Sequence, residues 1–171
     1  KPPADQPAYG SFVLSAAYRD QGSSAMTPLT GQALKILRYP VLYPRNAEFQ
    51  KGCRLVTTPS REFLIEGDGS YFGFTEIDLS GINMIRLSLF AEKWKGVAGG
   101  YVECYLDSLQ GQFIGKSQMV EVVEDRTRVK EGFSLSGKHI KGSHDIYFVF
   151  KNPKAAAHQL LMEVYAVEFN K

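Results

Sequence analysis

The stretch from Asp68 to Phe150 constrains the fold more than any other part of the chain. It opens with Asp68-Gly69-Ser70-Tyr71-Phe72-Gly73-Phe74-Thr75-Glu76-Ile77-Asp78 and closes with Gly142-Ser143-His144-Asp145-Ile146-Tyr147-Phe148-Val149-Phe150. Short runs rich in Phe, Tyr, Ile and Val are cut by Gly and Asp. Aromatic and β-branched residues suit a pleated, half-buried surface, and Gly and Asp suit the turns between such runs. This succession predicts an all-β fold, a two-sheet antiparallel jelly-roll sandwich, with helix confined to a turn or two. Sandwiches of this kind display loops and bind more often than they catalyse.

The expected strands follow the same pattern. Phe12–Tyr18 and Ala33–Tyr39 flank a loop rich in Gly, Ser, Thr and Pro, so residues 1–39 read as a linker and hairpin arm. The Pro-rich start, Lys1-Pro2-Pro3, reads as a linker or a trimmed mature end. Pro40 and Pro44 confine Val41–Tyr43 to an edge. Residues 40–171 form the sandwich. Its expected strands include Cys53–Val56 and Glu62–Ile65 around a turn at Pro59-Ser60, then Tyr71–Ile77, Asn83–Ala91, Tyr101–Leu106 and Gln112–Lys116. Val120–Val123, Arg128–Leu135, Ile146–Phe150 and Leu160–Phe169 follow. In Tyr71–Ile77, simple alternation puts Tyr71, Gly73, Thr75 and Ile77 on one face and Phe72, Phe74 and Glu76 on the other.

Composition sets limits on function. The 171 residues are 44% hydrophobic, enough for one ordinary core. Twenty basic and 18 acidic residues leave a net charge of +2, and the strongest local basic run is only Lys93-Trp94-Lys95. A nucleic-acid partner is not expected from that balance. No apolar run approaches a membrane span. The two cysteines, Cys53 and Cys104, lie in strand-like stretches and read either as small buried hydrophobes or as one inter-strand disulfide. No Cys or His spacing suits zinc.

Catalytic constellations fare poorly. His139, His144 and His158 fall in turns and a loop, and no Gly-x-Ser-x-Gly elbow occurs. Gly67-Asp68-Gly69 is followed by no helix, so it reads as a tight turn and not as a phosphate cradle. Glu66/Asp68, Glu76/Asp78 and Glu121/Glu124 are carboxylate pairs, but nothing selects one of them as acid and base. The chain therefore reads as a non-enzyme without cofactor. Aromatic residues beside turns are more informative. Sugars offer C–H faces that stack on rings, and Tyr71, Tyr101 and the single tryptophan, Trp94, all adjoin Gly-containing loops.

Ile65-Glu66-Gly67-Asp68-Gly69-Ser70-Tyr71-Phe72, Ile77-Asp78-Leu79-Ser80-Gly81-Ile82, Tyr105-Leu106-Asp107-Ser108 with Gly111 and Ile114-Gly115, Leu135-Ser136-Gly137 and the run from Gly142 to Phe150 together resemble the family 6 carbohydrate-binding modules. The likeness covers about residues 40 to 171. It implies a jelly roll that binds an oligosaccharide or polysaccharide without catalysis, appended to a partner catalytic domain in a periplasmic or extracellular protein. The alternative is a structural or protein-interaction sandwich that has lost sugar binding. The family's sugar contacts map to or beside Phe63, Arg126 and Glu163. With Tyr71 and Trp94, chosen for their place beside loops, these five form the expected loop-end ligand site. The family's calcium site maps to Leu42-Tyr43-Pro44, which offers no hard side-chain oxygens, so no metal is expected.

Overall fold

The computed structural model describes residues 11–57, 62–124, 128–135 and 140–171. Arg126, His139 and the expected turn at Pro59-Ser60 lie outside the described residues, as does the Pro-rich start. The chain divides into two compact units, Lys1–Tyr39 and Pro40–Lys171.

In the first unit, β1 (Ser11–Arg19) pairs with β2 (Thr30–Arg38) in an unbroken antiparallel register from Ser11↔Arg38 to Arg19↔Thr30. Asp20 closes the connection, its Oδ1 accepting hydrogen bonds from the amides of Gly22 at 2.9 Å and Leu29 at 3.0 Å. A short side-chain acceptor at a turn replaces backbone partners that the ladder no longer supplies.

The described residues of the second unit form eleven strands. They are β3 (Val41–Leu42), β4 (Phe49–Lys51), β5 (Cys53–Val56), β6 (Glu62–Glu66), β7 (Tyr71–Asp78), β8 (Met84–Phe90), β9 (Tyr101–Leu106), β10 (Gln112–Lys116), β11 (Val129–Ser134), β12 (Ser143–Lys151) and β13 (Leu160–Asn170). One sheet runs β10-β9-β12-β7-β4 and the other β11-β8-β13-β6-β5, with β3 paired to β13. From β6 onward the chain passes back and forth between the sheets, so most neighbours are distant in sequence, as in a jelly roll. Among the described residues helix is limited to single 3₁₀ turns at Pro44–Asn46 and Lys93–Lys95.

The core lies between the sheets. Phe72, Phe74, Phe148, Phe150, Val102, Cys104 and Leu106 project from the five-stranded sheet, and Ile65, Ile85, Leu87, Leu89, Met162 and Val164 from its partner. Phe72 packs within 5.3 Å of Phe148 and 5.6 Å of Phe150, measured between ring centroids. Cys53 and Cys104 are separate thiols on β5 and β9, not partners in a disulfide.

Three local features depart from the sequence expectation. Val120–Val123 is not a strand. It makes only isolated bridges, Val120 to Gly100 and Val123 to Glu92, because it runs beside loops and has no adjacent strand. In β7, Glu76 takes a left-handed backbone, φ 51°, where β12 shifts register between His144 and Ile146. That extra step breaks the alternation, so Ile77 turns inward beside Phe72 and Phe74 while Glu76 stays exposed. The third is β4, too short to show a period and legible only through its pairing with β7.

Candidate functional site

The outer face of the five-stranded sheet carries aromatic residues from edge to edge. Phe113 on β10 pairs with Tyr105 on β9, Tyr105 with Tyr147 on β12, Tyr147 with Gly73 on β7, and Gly73 with Phe49 on β4. Directly paired residues of antiparallel strands share a face, so these positions form one row. With about 4.8 Å between strands, the row is about 19 Å long.

Gly73 is the gap in that row, and the Phe49 ring fills it. A Cβ at Gly73 would overlap the ring. Without one, Phe49 lies across the strand and stacks on Tyr147, with centroids 4.3 Å apart and planes at 25°. Tyr71 stands 6.2 Å from Tyr147, and Tyr105 meets Phe113 edge-on at 5.6 Å. Phe49, Tyr71, Tyr105 and Tyr147 are half-buried by one another, and Phe113 is 46% exposed. Neighbouring rings thus hold each other in place while keeping part of their surface open.

Polar groups flank the rings. The next row reads Lys51, Tyr71, Val149, Glu103 and Lys116, and beyond it Lys151 pairs with Tyr101. The Tyr105 hydroxyl donates to Glu103 Oε2 at 2.9 Å. Lys116 Nζ lies 4.6 Å from the centre of the Tyr101 ring. Desolvation raises the Tyr105 phenol pKa, and the Glu103 carboxylate adds to the rise. Desolvation raises that of Tyr147 too, helped by the charge of Asp145. Both phenols are therefore neutral hydrogen-bonding groups at physiological pH. Open rings with hydroxyl, carboxylate and ammonium groups at their margin can stack on the C–H faces of a pyranose and bond its hydroxyls.

Four of the five residues expected at the loop end lie among the described residues, and Arg126 does not. Phe63 corrects the expectation of an exposed ring. It is 3% exposed and points between the sheets, edge-on to Phe72 at 5.5 Å. Glu163 is 4% exposed and already engaged by Lys95. Lys95 Nζ stands 2.9 Å from Glu163 Oε2, 3.0 Å from Glu62 Oε1 and 3.8 Å from Glu92 Oε2. Burial alone would lower the Lys95 pKa, but the bonds and charges of Glu163 and Glu62 outweigh it and leave it raised. The lysine therefore occupies the place where a sugar hydroxyl would meet Glu163. Trp94 lies open, 73% exposed, with Lys95 Nζ 5.3 Å from its ring centre. Tyr71 belongs to the aromatic face of the five-stranded sheet. The sequence alone singles out Tyr71 there but not Phe49, Tyr105, Phe113 or Tyr147. Alternation in Tyr101–Leu106 and Ile146–Phe150 carries the signal for outward tyrosines, yet only the register aligns them.

The carboxylate pairs near β7 have structural partners. Asp68 Oδ1 accepts the Asn152 amide at 2.7 Å, and Asp78 Oδ1 accepts the Ser80 amide at 3.0 Å. Among the described residues no group of three or more His, Cys, Asp or Glu side chains could hold a metal ion.

No protein-family model matches the sequence, and no curated protein matches it. Solved structures do. A family 6 carbohydrate-binding module from Clostridium cellulolyticum, in complex with xylose, matches 77% of this chain and 96% of its own, with TM-score 0.62 and 23% identity. The fold is that of the family 6 carbohydrate-binding modules. A β-1,3-glucan-binding module of this family from Bacillus halodurans matches 77% of this chain and 95% of its own, with TM-score 0.62 and 17% identity. A family 43 arabinoxylan arabinofuranohydrolase from Bacillus subtilis, in complex with cellotetraose, also matches 77% of this chain over 27% of its own length, with TM-score 0.60 and 17% identity. No helix among the described residues is long and apolar enough to cross a membrane.

Proposed function

We propose that this chain binds a polysaccharide without catalysis, and that the glycan lies along the aromatic row of the five-stranded sheet. The observation that carries the reading is the register Phe113–Tyr105–Tyr147–Gly73–Phe49, which lines up rings across five strands on a face turned away from the core. The likeness to modules described with xylose and β-1,3-glucan supports the same reading. The match to part of an arabinofuranohydrolase supports an accessory place beside a catalytic domain in a larger chain. A periplasmic or extracellular setting, where arabinoxylan and similar polymers lie, accompanies the proposal.

Affinity electrophoresis of the full chain through gels containing xylan, β-1,3-glucan or other polysaccharides tests it. Tyr147→Ala removes the ring on which Phe49 stacks, and Phe113→Ala removes a ring that is 46% exposed. We expect each to weaken retention by about fivefold, a lost stacking contact contributing on the order of 1 kcal/mol. Unchanged retention of Phe113→Ala and Tyr147→Ala would move the site elsewhere. The exposed Trp94 favours one specific second place, the loop end, and Trp94→Ala reads it directly. A wild type retained by no glycan would favour the alternative of an interaction sandwich.

A further inference from the structure

The aromatic row is not electrically symmetric. On one side, Lys51, Lys151 and Lys116 stand on β4, β12 and β10. These strands are two steps apart in the sheet, so the three lysines recur at intervals of about 10 Å along the row. Elsewhere on the sandwich, Lys93, Lys95 and Lys130 each meet a carboxylate. Among the described residues, Lys51, Lys116 and Lys151 form no ion pair. Glu103 is the carboxylate in their midst, and it accepts the Tyr105 hydroxyl. The opposite side of the row carries two aspartates, of which Asp107 is paired with His144 Nδ1 at 3.0 Å, leaving Asp145 as the carboxylate nearest the rings. Asp145 and Asp107 act on the Tyr147 phenol, and Asp145 Oδ1 accepts the Glu76 amide at 3.1 Å.

We infer that the glycan taken by this face is acidic, with carboxylate or sulfate groups directed to the Lys51–Lys151–Lys116 side. The inference rests on the proposed aromatic platform and adds the ligand class. An extended pyranose chain repeats at close to the spacing between strands. Lysines on alternate strands therefore match an anion on alternate sugars. Rings stack on the sugar faces, and each ammonium meets one anion with charge-assisted hydrogen bonds. Asp145 on the far side repels the same groups and fixes which edge of the chain faces which side.

The test compares retention of the full chain on polygalacturonate, a sulfated galactan, neutral xylan and neutral β-1,3-glucan at several salt concentrations. The wild type is expected to be retained more strongly by an acidic polymer, and the preference to shrink as salt rises. The triple variant Lys51→Gln/Lys116→Gln/Lys151→Gln should lose about tenfold on the acidic polymer, clearly more than it loses on neutral ones, where only bonds to sugar hydroxyls go; all three are changed together because each exposed ion pair is worth little alone. Retention by only one of the two acidic polymers supports the inference and identifies the anion. Equal retention on neutral and acidic polymers, untouched by the triple variant, overturns the acidic ligand but leaves the platform standing. Acidic retention that survives both Tyr147→Ala and Phe113→Ala is diffuse charge attraction and overturns it as well. No retention on any polymer overturns the platform and the inference together.

Discussion

At Gly73 any side chain would stand where the Phe49 ring lies, and a β-branched residue, ordinarily favoured in a strand, is the worst choice. Its Cβ would also strike the Ile146 carbonyl oxygen of β12, so Gly73→Val should lift Phe49 from Tyr147, push β12 aside and cost about 3 kcal/mol through overpacking, read as a lower midpoint in urea denaturation. Phe49 would then no longer extend the row, and glycan retention should fall with it. The other residue-scale consequence concerns Cys53. Burial pushes its thiol pKa up, a backbone hydrogen bond at Lys51 works against this, and the nearby Glu66 charge adds to the rise, leaving a value of about 12. The thiolate is the reactive form, so iodoacetamide at pH 8 should leave Cys53 unlabelled in the folded chain and modify it once the chain is denatured. Rapid labelling of native protein would contradict this burial. Residue-level legibility was uneven for a physical reason. Phe63 and Tyr71 are both aromatic residues in strands next to turns, and only pairing and pleat decide that Phe63 faces Phe72 in the core while Tyr71 faces outward. Glu163 reads as a hydroxyl ligand in the sequence because Lys95, 68 positions earlier, is invisible as its partner.

Among the elements, long strands with a strict period were readable, and β8 shows why: Ile85, Leu87 and Leu89 alternate and are all buried. Elements governed by register were not. β7 loses its period at Glu76, where a left-handed residue resets the face, and β4 is three residues long and has meaning only beside β7. The hairpin β1–β2 raises a different question at this scale. Phe12, Leu14 and Leu37 lie on one of its faces by register, and Val13, Leu34 and Ile36 on the other. A two-stranded ribbon cannot bury both faces, and isolated hairpins are marginal in water. A peptide of residues 1–39 should therefore be largely unstructured, with amide exchange close to that of a random chain. Residues 40–171, which hold their own core, should unfold cooperatively as a separate chain. A stable hairpin in the isolated peptide would show that local turn chemistry at Asp20 suffices.

At the scale of the whole molecule, the two sheets are joined by the apolar core between them, while a charged cluster ties elements of one sheet together: Lys95, on the 3₁₀ turn after β8, meets Glu62 on β6 and Glu163 on β13. The cluster has a sign. Lys95 binds its proton more tightly in the folded chain than in the unfolded one, since its folded pKa is raised. Its contribution is therefore fully present below the ordinary lysine value of about 10.4 and is lost as pH rises through the raised folded value. Tyr105 and Tyr147 act in the same direction, because their raised pKa values also mean that the folded state holds protons the unfolded state releases. Stability should thus decline steeply on the alkaline side, from about pH 10 upward, with these three groups adding to one another. Lys95→Met removes one of them and leaves Glu163, only 5% exposed at its side chain, without its cation. The variant should lose about 3 kcal/mol at neutral pH, the cost typical of breaking a buried pair from one side. Between pH 10 and 12 the gap between the variant and the wild type should narrow, because deprotonation of Lys95 removes from the wild type what the substitution has already removed. Melting temperatures measured across that range decide it. A gap that stays constant would mean that the cost of Lys95→Met comes from packing alone and that the ammonium charge contributes nothing.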